Sequence, residues 1–494
     1  MRVPSALGLA ALTGPAVAEA WTKYTAFETC LQPLLSSQAT ILNASSTVVA
    51  PRWTEYGEPV TNHVVNVATE ADVQATVFCA NAHDIPFLAQ AGGNAWSTTW
   101  TLTNTTTPSI LINLRALNAI TFSPTRTTVT VQGGTLTSEL LAAAYAHDAQ
   151  VVTANCDCVG VMGALLGGGY SRMMGERGYM IDNVLSLDVV LATGTRVTVT
   201  ARSQPELWWA LRGAGANFGV VTSAVFRSYP TPRTENHAWL GSLVFSEDKL
   251  EALVAAINDL PLSPQMAIFL YFATTGAPDY TPAIIAFPFY LARAGANTTT
   301  TTTTEEARAA FRAILALGPL SDTTAWTPYD RVNAGSGAFC AAGGRKVSLG
   351  SAARTLDPAA WRAIWTSFTR WVAASGGDRV GNSTVLMEAY SLGRASAVAA
   401  GSSAYAWRAS SRFNTVAIAW YRDPALDASA RQWAGDVRAV WRETSGLSGN
   451  STYINFAFGD ESLEDIYGDN VERLRLLKRV YDPQNRFNQF FPLT

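Results

Sequence analysis

The chain has few of the residues on which several common enzyme sites depend. Its 494 residues include only four histidines and five cysteines. The histidines are scattered, and Cys156-x-Cys158 is spaced more closely than a usual C-x₂₋₄-C zinc pair, so we expect no metal site. No Gly-x-Ser-x-Gly nucleophile elbow occurs, and no glycine loop ends in Gly-Lys-Ser/Thr. Serine hydrolases and P-loop enzymes are therefore disfavoured.

Charge of one sign and long apolar runs are also missing. Charged residues make up 15% of the chain and nearly cancel, leaving a formal net charge of −3. The chain therefore lacks a basic footprint for nucleic acid, and no run of ~18 apolar residues predicts a membrane span. Apolar residues and glycine are plentiful, at 48% and 37 residues. This length and composition favour about two or three globular domains with a large core.

The N-terminus predicts a secretory signal peptide over residues 1–20. Arg2 precedes a small, apolar run, and small residues near position 18 provide a cleavage pattern. The alternative is an N-terminal helix of the mature protein. Secretion or the secretory pathway also fits five Asn-x-Ser/Thr triplets, at Asn43, Asn104, Asn297, Asn382 and Asn450. Disulfides are permitted there, and a Cys30–Cys79 bridge would fasten the N-terminal segment to the body.

The pattern of elements predicts an α+β fold, because strands and helices mix without strict βαβ alternation. Thr69 to Asp72 forms a capping box ahead of a helix with Val73, Val77 and Ala80 on one face. Ser203 to Glu206 predicts a second capping box. Pro230-Thr231-Pro232 marks a boundary, and the Thr-rich stretch 297–304 is typical of a surface loop.

Glycine is concentrated in three segments, at 92–93, 160–169 and 213–219. Without a Cβ atom, backbone there can approach a flat or phosphorylated ligand, and successive N–H groups can hold a diphosphate. The alternative is a set of tight structural turns. The Rossmann pattern G-x-G-x-x-G fails at its third glycine, because Phe218 and Arg172 occupy that position in the two best candidates.

Four segments in order carry a resemblance to a known family. They are Gln90–Asn94, Cys156–Tyr170 with its continuation to Gly194, Glu206–Thr222, and Tyr453–Asn455 with Tyr481-Asp482-Pro483. The sequence resembles the FAD-linked oxidases with a PCMH-type flavin domain, in the berberine-bridge-enzyme-like group. The resemblance implies an FAD-binding domain in two parts, residues 45–230 and 451–494. It also implies a substrate domain, residues 231–450, inserted between them and built on a large antiparallel sheet.

The resemblance further implies which residues bind FAD. By position they are Ala91, Gly92, Gly93, Asn94, Ala95, Cys156, Val159, Gly160, Gly163, Gly169, Tyr170, Asp182, Asn183, Val221 and Asn455. Asn94 stands where many members have a flavin-linking histidine, and an amide is not a usable nucleophile, so no His link is expected. Cys156 matches the family's second attachment point. FAD is therefore expected to be non-covalent or singly linked through Cys156; in the first case Cys156 and Cys158 are small buried residues.

The implied reaction is hydride transfer from an alcohol or amine carbon of a small molecule to FAD, with O2 as acceptor. A natural-product intermediate is favoured over an oligosaccharide. Candidates for the base are Glu388 and Tyr390, on one face of a predicted strand, with Tyr421 and Tyr453. Each also fits an ordinary structural role. The alternatives are a non-redox cyclase or isomerase with structural FAD, and a flavin-binding protein without catalysis. The sequence indicates no oligomeric state.

Overall fold

The computed structural model describes residues 15–61, 63–100, 102, 109–296, 298 and 301–494. Residues 15–20 of the predicted signal peptide belong to a helix, Pro15–Leu31. Residues 1–14 and the predicted glycosylation positions Asn104 and Asn297 lie outside the described residues. Within the described chain, no helix is both long and apolar enough to cross a membrane.

Two small sheets are built from residues 40–227, which we call the N-terminal half. One has four strands in the order Thr40–Leu42, His63–Asn66, Ile110–Asn113 and Phe87–Gln90. Its first pairing is antiparallel and the other two are parallel. The second sheet is antiparallel, in the order Ile120–Phe122, Thr128–Gln132, Val220–Arg227, Val184–Val190 and Arg196–Val199. A short ribbon pairs Ala149–Gln150 with Tyr229–Pro230.

Helices flank these sheets, and one of the two predicted capping boxes is confirmed. The Thr69 hydroxyl accepts from the Asp72 amide, and the Asp72 carboxylate accepts from the Thr69 amide, at the start of the helix Glu70–Ala82. Val73, Val77 and Ala80 are buried on it as predicted. The other helices here and near the C-terminus are Ser46–Val49, Thr137–Ala146, Val161–Leu166, Met174–Arg177, Met180–Asn183, Pro205–Ala214, Leu463–Tyr467 and Val471–Tyr481.

The second predicted capping box is wrong. The helix begins at Pro205 with Gln204 as its N-cap, in a left-handed conformation (φ 59°) and without a side-chain cap. The Ser203 hydroxyl donates to the Thr198 carbonyl instead, 3.3 Å away. Ser203 therefore closes the turn after the strand Arg196–Val199, and the fixed φ of Pro205 starts the helix.

The large sheet occupies residues 237–421, and its pairings are all antiparallel. Its main order is Ser321–Asp322, Leu243–Phe245, Pro282–Leu291, Met266–Thr274, Thr384–Tyr390, Phe413–Tyr421 and Arg345–Ala353, while His237–Leu240 pairs with both Pro282–Leu291 and Ala325–Pro328. The helices of this region are Leu250–Asp259, Thr301–Ala310, Arg312–Leu315, Pro358–Ser375, Gly377–Val380, Gly393–Ala397 and Asp427–Thr444. The predicted α+β class is confirmed, but the predicted loop at 297–304 is wrong for Thr301–Thr304, which begin a helix.

The two faces of the large sheet bury different cores. On the strand Thr384–Tyr390, Val385, Met387 and Ala389 pack with the helices of the sheet's outer side. Leu386 and Tyr390 belong to the core shared with the N-terminal half. Because side chains alternate along a strand, Glu388 shares this inner face. The inner face is where the sheet meets the glycine-rich loops.

Candidate active site

A cavity of about 340 Å³ lies where the N-terminal half, the C-terminal segment and the inner face of the large sheet meet. This volume falls within the range of small-molecule and cofactor sites. Twelve of the predicted cofactor residues line it: Ala91, Gly92, Gly93, Asn94, Ala95, Cys156, Val159, Gly160, Gly163, Tyr170, Val221 and Asn455. The structure thus brings together residues from four separate parts of the chain, 91–95, 156–170, 221 and 455.

The loop after the strand Phe87–Gln90 forms one wall. A Cβ atom on Gly92 would lie 2.7 Å from both the Cys158 carbonyl oxygen and the Gly160 nitrogen, so only glycine permits this approach. The Asn94 amide donates to the Gly92 carbonyl at 2.9 Å and to the Cys158 carbonyl at 2.7 Å. Asn94 therefore fastens the two glycine loops together.

This loop also presents backbone donors. Among the described residues, no acceptor pairs with the backbone N–H groups of Gly92 through Ala95. Gly93 is left-handed (φ +69°). Successive unpaired N–H groups with one left-handed residue form a concave anion site of the kind that holds phosphate groups.

Gly163 belongs to another part of the lining. It lies in the helix Val161–Leu166 and lines the cavity, yet a Cβ atom there would meet nothing within 4 Å. The side-chain amide of Asn455 donates to the Ala164 carbonyl at 3.2 Å and connects this helix to the C-terminal segment. Open space bounded by glycine and backbone donors fits a large, phosphate-bearing cofactor such as FAD.

Three predicted cofactor residues lie behind the cavity wall rather than in its described lining. The Asp182 carboxylate accepts from the Arg408 guanidinium at 2.7 Å and from the Tyr179 amide at 2.9 Å. The Asn183 amide donates to the Tyr179 carbonyl at 2.8 Å. The Gly169 amide donates to the Tyr453 hydroxyl at 3.2 Å. Both bonds of the Asp182 carboxylate end on Oδ2, and its Oδ1 is buried without a partner among the described residues.

Glu388 is the only carboxylic acid in the described lining of the cavity. Its side chain is 6% exposed, and the Tyr390 hydroxyl donates to its Oε2 at 2.7 Å. Burial raises the pKa of Glu388 to about 7. A carboxyl group that ionises near neutral pH is well suited to general base catalysis.

The other two predicted catalytic residues are placed differently. Tyr453 lines the cavity, and its hydroxyl accepts from the Asn455 amide at 2.8 Å. Tyr421 lies on the outer face of the sheet, where its hydroxyl donates to Asp427 at 2.8 Å. On the strand Phe413–Tyr421 it is Val416 and Ile418 that reach the cavity. The structure therefore does not bring Tyr421 to the site.

Three of the five cysteines, Cys156, Cys158 and Cys340, lie together beside the cavity. Cys158 is bonded to Cys340, and Cys30 is bonded to Cys79 as the sequence suggested. Within the described chain, Cys156 alone is a free cysteine; its Sγ lies 3.6 Å from each sulfur of the Cys158–Cys340 bridge. Burial raises the pKa of the Cys156 thiol. Cys156 lines the cavity and remains the single cysteine available there.

Sequence reasoning missed the aromatic end of the cavity. Five rings line it: Trp53, Trp96, Tyr271, Phe339 and Phe456. The ring centroid of Trp96 lies 5.4 Å from that of Trp53 and 5.5 Å from that of Phe456, and the Tyr271 and Phe339 centroids lie 5.7 Å apart. Tyr271 lies on the strand Met266–Thr274, which pairs with the strand of Glu388. Each of these rings is a single aromatic residue in a separate segment, so no sequence pattern indicates that the five meet.

Also missed were Asn155 and Arg172. The Asn155 side chain donates to the Tyr390 hydroxyl at 2.6 Å and accepts from the Arg172 backbone amide at 2.9 Å. Their positions directly flank the glycine-rich segment 156–170, which was the only signal available in the sequence.

Comparison with known proteins agrees with this geometry. Residues 61–200 match the family model "FAD binding domain", and residues 452–489 match "Berberine and berberine like". The FAD-linked oxidoreductase anuG of Penicillium roqueforti is 32% identical, over 94% of this chain and 91% of its own. The FAD-linked oxidoreductase OXR1 of Pyricularia oryzae is 33% identical, over 90% of this chain and 86% of its own.

Solved structures share the fold. BBE-like 1 of Physcomitrella patens superposes with a TM-score of 0.78 at 20% identity, covering 95% of this chain and 99% of its own. A xylooligosaccharide oxidase from Myceliophthora thermophila gives 0.76 at 19% identity, with the same coverage. Together with the glycine-walled cavity and its buried carboxyl group, these relatives identify the chain as an FAD-dependent oxidoreductase of the berberine-bridge-enzyme-like family.

Proposed function

We propose that the enzyme oxidises an alcohol or amine carbon of a small, largely apolar molecule, with Glu388 as the general base and O2 as the final electron acceptor. The observation that carries this proposal is the single carboxyl group in the described cavity lining, buried and with a pKa of about 7. FAD, when bound, supplies the hydride acceptor.

The protein's own contribution is proton handling and orientation. Oε2 of Glu388 already accepts from Tyr390, and no described residue donates to Oε1. Oε1 is thus the atom available to take the O–H or N–H proton of the substrate as its C–H bond breaks. Because burial holds the pKa of Glu388 near 7, the ionised form increases as pH rises through neutrality, and activity should rise with it.

The aromatic end of the cavity supports the substrate class. Stacked and edge-on rings offer planar apolar contacts, whereas an oligosaccharide needs many hydrogen-bonding groups. At this end the described lining offers one carboxyl group, Glu388, among Trp53, Trp96, Tyr271, Phe339 and Phe456. The side chains of Asn155 and Ser336 are also in the lining, but they are hydrogen-bonded within the protein. A planar natural-product intermediate fits this surface better than a sugar chain, although the oligosaccharide oxidase above shares the fold.

Anaerobic mixing tests the reaction. With substrate, the flavin band near ~450 nm should bleach, and readmitting O2 should restore the band and yield H2O2. Glu388→Gln should keep its FAD and lose about 10²–10⁴-fold in the rate of bleaching. Turnover without bleaching would contradict the oxidation and favour a cyclase or isomerase that uses FAD structurally. An unchanged rate in Glu388→Gln would remove this residue as the base.

Attachment of the cofactor needs a separate test. Asn94 cannot form the link, so a covalent bond in this site would run through Cys156. After acid precipitation, a yellow supernatant indicates non-covalent FAD, whereas a yellow pellet indicates attachment. In the second case Cys156→Ala should release the flavin, and retention in that variant would contradict attachment at Cys156.

We also propose that the chain enters the secretory pathway. Its two disulfides suit an oxidising compartment. Expression with its own N-terminus in a eukaryotic host, followed by N-terminal sequencing, should give a mature chain that starts near residue 21. A chain retained in the cytosol with an intact N-terminus would contradict this.

A further inference from the structure

A chain of hydrogen bonds stands behind Glu388. The Tyr390 hydroxyl donates to Oε2 of Glu388 at 2.7 Å, and the Asn155 side chain lies 2.6 Å from the same hydroxyl. On its other side Asn155 meets the backbone amide of Arg172 at 2.9 Å. The three side chains come from a loop of the N-terminal half and a strand of the large sheet.

The direction of every bond in this chain is fixed by one group. A backbone N–H can only donate, so the atom of Asn155 that faces Arg172 must be its Oδ1 oxygen. The Nδ2 group of Asn155 therefore faces Tyr390 and donates to its hydroxyl. With its oxygen accepting from Asn155, the Tyr390 hydroxyl directs its own proton at Glu388.

We propose that Asn155 is a positioning residue: by donating to Tyr390 it holds the tyrosine O–H on Oε2 of Glu388 and leaves Oε1 facing the substrate. This inference rests on the proposed role of Glu388 as the base. Asn155 itself also lines the cavity. Its proposed effect on Glu388 passes through Tyr390.

Other groups around Glu388 are accounted for. Arg172 is the nearby cation that favours its ionised form, while Tyr271 and Tyr170 face it as neutral phenols whose pKa burial raises. The Arg172 guanidinium is bound to Asn333 and stands over the Phe269 ring, 4.8 Å from its centroid. Asn155→Ala keeps these guanidinium contacts and the one to its own backbone carbonyl at 3.4 Å. It removes the side-chain bonds to the Arg172 backbone amide and to Tyr390, and the Tyr390→Phe background isolates the second of these.

The consequence is a pH effect. A fixed O–H donor stabilises the ionised carboxylate, and without Asn155 the Tyr390 hydroxyl is free to turn away. The pKa of Glu388 should then rise above its value of about 7. We expect Asn155→Ala to move the acidic limb of the kcat/KM profile upward by about one pH unit, the shift of one lost hydrogen bond to a charged group.

A double-mutant cycle tests the route. Tyr390→Phe should move the limb by a similar amount, and Asn155→Ala should add nothing in the Tyr390→Phe background. Independent, additive shifts would overturn the proposal. The matched control is Asn236→Ala, which removes a buried asparagine that donates to the Ala149 carbonyl at 3.0 Å, outside the described cavity lining. It should lower stability and leave the limb unmoved.

A readout without turnover separates this inference from the proposed function. The infrared C=O band of protonated Glu388, assigned by its loss in Glu388→Gln, can be titrated in the resting holoenzyme. Its midpoint should rise by about one pH unit in Asn155→Ala. An unmoved midpoint overturns the inference even where Glu388→Gln is inactive. A shifted midpoint together with a fully active Glu388→Gln variant supports the positioning role of Asn155 and overturns the role of Glu388 as the base.

Discussion

At the scale of one residue, the burial of Glu388 has a cost in stability. Its pKa is raised by burial from an ordinary 4.5 to about 7. Because folding raises the pKa of this acid, the folded state favours its protonated form. The free energy of unfolding therefore decreases as pH rises from about 4.5 to 7 and then levels off. Glu388→Gln should remove this dependence. Its free energy of unfolding relative to wild type should increase by about 2–4 kcal/mol across that window.

Urea denaturation at several pH values measures this difference. An equal offset between the two proteins at pH 4 and pH 8 would contradict the raised pKa. With Glu388 as the proposed base, Glu388→Gln would gain stability between pH 4 and pH 8 relative to wild type and lose activity, a trade-off that is usual at catalytic groups.

Gly163 lines the space proposed for FAD, so a substitution there can be compared with one at a glycine that packs against the protein. A Cβ atom there meets no protein atom within 4 Å, so Gly163→Ala should fold normally and gain up to about 1 kcal/mol in a helix. The methyl group would stand in the space proposed for FAD, and the bound flavin per protein should fall. In the control, Gly134→Ala, the added atom would lie 1.9 Å from the Leu114 carbonyl oxygen.

The flavin-to-protein absorbance ratio and thermal unfolding of the apoprotein distinguish these variants. Gly134→Ala should lose stability, whereas Gly163→Ala should lose only flavin. Full flavin content in a stable Gly163→Ala protein would show that this wall does not contact the cofactor.

At the scale of elements, sequence prediction succeeded where the controlling contacts are local. The cap at Thr69 needs only Asp72, three residues away, and it is confirmed. The predicted cap at Ser203 is wrong because the Ser203 hydroxyl donates to the carbonyl of Thr198, on the preceding strand. The α+β class followed from the pattern of elements, whereas the positions of Asn155 and Trp53 depend on contacts with Tyr390 and Phe339, more than 200 residues away. No local pattern carries that information.

The strand Phe413–Tyr421 shows how alternation decides a role. Its even positions Val416 and Ile418 face the cavity, and Tyr421 faces the helix Asp427–Thr444. Tyr421→Phe should therefore cost about 1 kcal/mol in unfolding free energy, the value of its bond to Asp427, and leave the rate of flavin reduction unchanged. Tyr390→Phe, the matched variant on the inner face, should lower that rate. Stopped-flow reduction and urea denaturation compare the two, and a slow Tyr421→Phe variant would reject the assignment.

At the scale of the whole molecule, the site exists only where distant segments close on one another. The loop at 91–95, the segment 155–170, the large sheet and the segment 453–456 all contribute walls. The resemblance placed the glycine loops correctly around one cavity, because their motifs are contiguous in sequence. It also assigned Asp182 to the cofactor, and this carboxylate lies outside the described cavity lining, bonded to Arg408.

Asp182 and Arg408 form a buried ion pair that joins the N-terminal half to the region of the large sheet. Their side chains are 8% and 1% exposed, and Arg408 also stands over the Tyr179 ring. Arg408→Met would leave the Asp182 carboxylate buried without its cation, and we expect a loss of about 3–5 kcal/mol in unfolding free energy. Adding Asp182→Asn should recover part of that loss, because the unpaired charge is gone.

Asp182→Asn alone should destabilise the protein while the folded fraction keeps its FAD. A stable Asp182→Asn protein that releases FAD would instead place this carboxylate at the cofactor, as the sequence predicted.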